Sequence, residues 1–180
     1  MKKYKTGIIG CGRIGSLLEE DPLRGKPCTH AGGFSALPAS HLSAGCDIDT
    51  DRLEKFGKRW NVTELYSDYQ DMLNKENLDI ICIATWTPLH AKMTLKAAEA
   101  GVKGIFCEKP IATNIKQARD MVRVCQRKKI SLIINHERRW DAYYKQARKL
   151  ITSGKIGEIK TIIGNALSWK PGKLSLAKHG

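Results

Sequence analysis

The stretch Thr6-Gly7-Ile8-Ile9-Gly10-Cys11-Gly12-Arg13-Ile14-Gly15 decides the fold. A short apolar run ends in a G-x-G-x-x-G turn, and residues 14–20 continue with helical character. Strand, tight turn and helix in that order open a βαβ unit. The same rhythm repeats downstream. Short apolar runs at 42–46, 64–66, 80–84, 104–107 and 131–135 alternate with helical patterns at 51–60, 68–74, 89–100 and 114–128. Ile80-Ile81-Cys82-Ile83-Ala84 is apolar throughout, as expected for a strand covered on both faces. Gly101 is placed to end one helix, and Thr113 or Asn114 to cap the next. Such alternation predicts an α/β fold with a doubly wound parallel sheet. After residue 135 the rhythm changes: a helix at 142–153 stops at Gly154, and a longer strand is expected at 158–167. The expected organisation is a first domain at 1–135 and an incomplete second α+β domain at 136–180.

Composition narrows the function classes. Apolar content of 42% and charged content of 27% over 180 residues are globular values. The longest apolar runs are about five residues, far short of the ~20 that span a bilayer, so no membrane partner is expected. Met1-Lys2-Lys3-Tyr4-Lys5 is basic, but no long apolar stretch follows it, so a secretory signal is not expected and the cytoplasm is the expected location. The six cysteines form no Cys-x-x-Cys pair, and the expectation is reduced thiols, with Cys46, Cys82 and Cys107 as small buried hydrophobes. His136-Glu137 begins like a zincin motif, but Trp140 stands where the second histidine belongs, so no metal site is expected. The net charge of +13 is unevenly placed: residues 1–100 hold 13 basic and 13 acidic side chains, and residues 101–180 hold 18 and 5. These basic residues are spread along helices without aromatic interleaving or a recognition motif, so nucleic acid is not an expected partner.

The glycine turn has a specific chemistry. Gly10 permits the tight turn, Gly12 lets backbone approach a pyrophosphate, and Gly15 lets helix and strand pack closely. Gly10, Gly12, Arg13, Ile14 and Gly15 are therefore candidate dinucleotide-binding residues, with phosphate on the helix N-terminus. An acid at the end of the second strand should take the ribose, and Asp47 of Cys46-Asp47-Ile48-Asp49 is the candidate, with Asp49 as a helix cap. Asp47 lies 32 residues beyond Gly15, against about 20 in this fingerprint. The excess is assigned to a loop insertion at 21–33, which contains His30. A carboxylate at 47 favours NAD; Arg52 nearby leaves NADP as the alternative.

The sequence resembles the Gfo/Idh/MocA oxidoreductases, NAD(P)-dependent dehydrogenases of sugars, inositols and related polyols. The resemblance extends to about Leu167. It rests on the glycine turn, Cys46-Asp47-Ile48-Asp49, Thr85-Trp86-Thr87-Pro88-Leu89-His90, Glu108-Lys109-Pro110 and Asn135-His136-Glu137-Arg138-Arg139-Trp140-Asp141. It implies a Rossmann-type first domain and hydride transfer between nicotinamide and a polyol or sugar. Lys109 would be the catalytic proton carrier, with Glu108 orienting nearby groups and Pro110 fixing the turn. Thr85, Trp86 and Pro88 would contact the nicotinamide half, Trp86 either on the cofactor or in the core; Glu108 and Lys109 are further candidate cofactor contacts, and His90 either contacts the cofactor or packs or caps at its helix start. Arg138, Arg139 and His30 are candidates for substrate contact.

Two features depart from the family. Its members are usually about twice this long, and the second domain's catalytic histidine has no secure counterpart, His179 included. The expectation is a chain shortened by truncation or a frameshift, with an unusual short form as the alternative, that binds NAD(H) and turns over poorly, homo-oligomeric only if the second domain is complete. The competing expectation is a non-catalytic nucleotide-binding or sensing module.

Overall fold

The computed structural model describes residues 3–165. Six parallel strands form one sheet: β1 (Tyr4–Ile9), β2 (Ser40–Cys46), β3 (Glu64–Tyr66), β4 (Ile80–Ile83), β5 (Gly104–Cys107) and β6 (Ser131–Ile134). Their order is β3-β2-β1-β4-β5-β6, so the chain runs outward one way from β1, returns, and runs outward the other way. That reversal makes a crevice at the carboxyl ends of β1 and β4, where open α/β sheets hold ligands.

The helices are α1 (His30–Ala36), α2 (Thr50–Trp60), α3 (Tyr69–Lys75), α4 (Thr87–Glu99), α5 (Ile115–Arg127) and α6 (Ala142–Thr152). Side chains alternate across each strand, so the sheet carries two cores. Ile9, Ile81, Ile83 and Ile105 pack with Met72 of α3, Ala97 of α4 and Met121 of α5. Ile8 and Cys82 point the other way, to Ala31 of α1 and Leu53 and Phe56 of α2. A register shift opposite Thr6 and Gly7 lets β2 change faces, so Leu42 joins one core and Ala44 the other. The six cysteines are free, and all but Cys28 are buried. Burial pushes the Cys46 and Cys107 thiols up to about 12. No helix among the described residues is long and apolar enough to cross a membrane.

The helix expected at 14–20 is a turn followed by a 3-10 segment, Leu17–Glu20. The α-helical hydrogen bonding resumes at His30. The His30 N–H donates to Ile14 O at 3.0 Å and the Ala31 N–H to Gly15 O at 2.9 Å. Each reaches back sixteen positions where a helix reaches back four, so twelve residues are looped out of one continuous ladder. Twelve is also the excess in the Gly15–Asp47 spacing. The insertion therefore ends at Thr29, not at 33, and His30 opens a helix in place of lying in the loop. Thr29 caps that helix by accepting from the Gly32 N–H, and its hydroxyl donates to Glu19 at 2.6 Å. The loop is pinned to α2, where the Trp60 indole donates to the Ser16 hydroxyl at 2.8 Å and Arg59 pairs with Glu20.

Residues up to His136 form one compact unit and those from Glu137 a second. In the second, a 3-10 turn (Glu137–Trp140) leads to α6, whose cap Asp141 accepts from the Tyr143 N–H at 2.8 Å. The strand expected at 158–167 does not form over 158–165, and residues 166 and 167 lie outside the described residues, as do the 168–180 tail and His179. Ile162 and Ile163 are 79% and 83% exposed there. A β-branched run makes a strand only against a neighbour that completes its ladder, and no described strand pairs with it.

Deleting the twelve residues 18–29, which joins Leu17 to His30, is expected to leave a cooperatively folded chain with one helix running through residue 36. Far-ultraviolet circular dichroism and amide exchange at His30 would check it. A protein without cooperative unfolding would contradict the looped-out ladder.

Candidate active site

The turn after β1 has the shape a dinucleotide phosphate needs. Gly10 has φ +99°, a left-handed conformation, and a Cβ there would meet Ala84 O at 2.7 Å. A Cβ at Gly15 would collide with Gly10 O, whereas one at Gly12 would meet nothing within 4 Å. Gly12 thus presents bare backbone to open space. The Gly10 N–H donates to Cys46 O at 2.8 Å and the Cys11 N–H to Asp47; the next backbone N–H to find a partner is that of Ser16, bonded to Gly12 O at 2.9 Å. The donors of residues 12–15 are therefore left for an anion. Arg13 is exposed and Ile14 half-buried beside them.

Asp47 follows β2 and is 8% exposed. One carboxylate oxygen accepts from the Cys11 N–H at 2.8 Å, the other from the Asp49 N–H at 3.0 Å. The acid ties the glycine turn to the end of β2, and each oxygen keeps a second lone pair. Asp49 caps α2 through the Arg52 N–H, and the Arg52 guanidinium pairs with the same side chain at 3.1 Å.

At the end of β4, Trp86 is the N-cap residue of α4 and Pro88 lies in its first turn. Trp86 is 65% exposed, which removes the core alternative. Thr85 donates its hydroxyl to the Met93 sulfur. Of the two readings of His90, the structure takes the packed one over the cofactor contact. The residue is fully buried, with Nδ1 2.8 Å from Pro110 O and Nε2 3.0 Å from Thr85 O. The ring joins two loops at the site and has no face toward a ligand.

β5 ends at Glu108-Lys109-Pro110. Glu108 is buried, and its Oε1 lies 2.8 Å from His30 Nε2 and 2.7 Å from Asn135 Nδ2, while Oε2 accepts from the Lys109 N–H. Burial alone would raise the Glu108 pKa; the hydrogen bonds from His30 and Asn135 overcome it and hold the carboxyl at about 2. Burial likewise works against an imidazolium at His30, and Cys82 and the Glu108 carboxylate outweigh it, lifting the pKa to about 10. His30 is therefore not a solvated loop residue but half of a buried ion pair. Lys109 is exposed. Arg138 and Arg139 belong to the second unit and are exposed. The missed residue is Asn135; its signal was its place directly after β6, level with Glu108 after β5.

The ion pair makes stability depend on pH in a stated direction. Its His30 share is complete below about 6.5 and is lost as pH rises through about 10. Its Glu108 share is complete above about 4.5 and is lost as pH falls through about 2. His30→Ala is expected to cost about 3–5 kcal/mol near pH 6, and less as pH climbs toward 10. Urea unfolding of both proteins across that range would read it; a gap independent of pH would contradict the pairing.

Residues 4–136 match the oxidoreductase family described as having an NAD-binding Rossmann fold. D-apiose dehydrogenase of Paraburkholderia graminis is 31% identical over 157 residues, covering 87% of this chain and 38% of that protein. Myo-inositol 2-dehydrogenase of Lactobacillus plantarum superposes with a TM-score of 0.76 at 32% identity, over 88% of this chain and 43% of that one. Scyllo-inositol dehydrogenase of Lactobacillus casei, solved with NAD(H) and scyllo-inositol, gives 0.77 at 26% identity, over 87% and 43%. The chain thus spans about two fifths of the length of these relatives. With the parallel sheet, the glycine turn and the Glu108-Lys109-Pro110 strand end already in place, this match settles the family: the chain belongs to the Gfo/Idh/MocA oxidoreductases.

Proposed function

We propose that this protein serves a dehydrogenase reaction in which hydride moves between NAD and a sugar, inositol or related polyol. The observation that carries the reading is Lys109. It is an exposed amine at the carboxyl end of β5, with no carboxylate paired to its side chain among the described residues. It stands one strand from β4 and two from the glycine turn of β1.

When bound, the nicotinamide would take up or return the hydride. The chain's own residues do the rest. The backbone donors of Gly12, Arg13, Ile14 and Gly15 receive the pyrophosphate. Asp47 holds the turn and accepts from the ribose hydroxyls with its remaining lone pairs. A buried carboxylate there repels a 2′-phosphate, and Arg52 is already paired with Asp49, so NAD is favoured over NADP. Trp86, beside Thr85 and Pro88, offers an exposed ring at the nicotinamide half. In the oxidising direction the neutral Lys109 amine accepts the proton of the substrate hydroxyl; in reverse its ammonium returns it. The relatives named for apiose and inositol support the substrate class.

Fluorescence titration of the 180-residue chain with NADH is expected to show saturable binding, and weaker binding of NADPH. Asp47→Ala should weaken NADH by about tenfold or more, as loss of charge-assisted hydrogen bonds does. Lys109→Ala should leave binding unchanged and remove any polyol oxidation. No binding at millimolar NADH would overturn the reading.

A further inference from the structure

Glu108 and Lys109 are adjacent in sequence, share one strand end and carry opposite charges. The Lys109 side chain nevertheless has no ion pair among the described residues. The Glu108 carboxylate is fully occupied elsewhere: Oε1 by His30 at 2.8 Å and Asn135 at 2.7 Å, Oε2 by the backbone N–H of Lys109 at 3.1 Å. We propose that His30 and Asn135 are positioning residues that keep Glu108 from capturing the Lys109 ammonium, leaving that group free for substrate. The inference rests on the reading of Lys109 as the proton-handling residue.

Three observations support it. Both donors are fixed through their backbones: the His30 N–H is tied to Ile14 O, and the Asn135 N–H donates to Cys107 O at 2.8 Å. The His30 ring stands edge-on to Phe106 at 5.2 Å, with Cys82 of β4 as its other neighbour, so it cannot swing off the carboxylate without opening the core. His30 and Glu108 are 8% and 7% exposed, so water competes poorly for either partner. An imidazolium also cancels the carboxylate charge, and Lys109 is left as the uncompensated cation at this strand end. A neutral donor at position 30 would hold the geometry without that cancellation. The insertion has a role in this: because the ladder resumes in register, His30 arrives at Glu108 despite twelve extra residues before it.

The test is the rate at which Lys109 is modified by an amine-directed acylating reagent, in the 180-residue chain without cofactor. Peptide mass spectrometry would compare it with Lys92, an exposed lysine on α4. His30→Ala should slow Lys109 labelling about tenfold against Lys92, as expected for an amine next to a released carboxylate. Asn135→Ala should slow it by a smaller factor, and His30→Gln, which keeps an N–H donor but not the positive charge, should fall between the parent and His30→Ala. Adding Glu108→Gln to either alanine variant should restore the parent rate, which a merely structural defect would not do. Unchanged labelling in both alanine variants, or no rescue by Glu108→Gln, overturns the proposal. If His30→Ala does not fold, all lysines label faster, and Asn135→Ala with its Glu108→Gln partner decides the matter. NADH titration of the same samples tests the dehydrogenase reading separately: lost cofactor binding with the expected labelling pattern discards that reading and leaves the Glu108 restraint standing.

Discussion

Two backbone hydrogen bonds, from His30 to Ile14 and from Ala31 to Gly15, carry the architecture of this site. They bring the chain back onto the helix axis after a detour of twelve residues. Without them the glycine turn would open onto a loop, and α1 would rest on the sheet through its side chains alone. With them, the turn that faces the phosphate position and the helix that carries His30 are one hydrogen-bonded object. Asp47 then ties that object to β2 through Cys11, and His30 ties it to β5 through Glu108.

The cost of the arrangement is concentrated in one carboxylate. A buried ion pair gains little over an apolar substitute of the same shape, and its loss through one partner is expensive. Here three donors converge on Glu108, which is enough to keep the charged form against burial. His90 does related work without a carboxylate, joining the loop after β4 to the turn after β5 through two carbonyl oxygens. The residues that would meet ligand, Gly12, Trp86 and Lys109, stand beside a frame tied together by Asp47, His90 and Glu108.

Much of this was legible in the sequence, for identifiable reasons. The strands stand out because a strand covered on both faces must be apolar, as in Ile81-Cys82-Ile83. Asp49 and Asn114 could be read as caps because a short oxygen-bearing side chain ahead of a helical stripe has few other uses. Within the first unit, the family resemblance fell on residues at the carboxyl ends of β1, β2, β4 and β5. What escaped reading depends on partners distant in sequence. Helix α1 contains Gly32 and Gly33, poor helix formers, and is held by carbonyls sixteen positions back. His30 looked like a loop residue because its partner is 78 positions away. The apolar run from Ile159 carried a strand's composition but had no neighbouring ladder among the described residues.

The placement of the thiols has a practical side. Five cysteines are sealed within the sheet and its helices, and only Cys28, half-buried in the looped-out segment, has access to solvent. A thiol-directed fluorophore or spin label would therefore attach at one site, in the native sequence, next to Leu18 and Glu19 at the start of the detour. The protein carries its own reporter position, and the detour that complicates its helix is where that position lies.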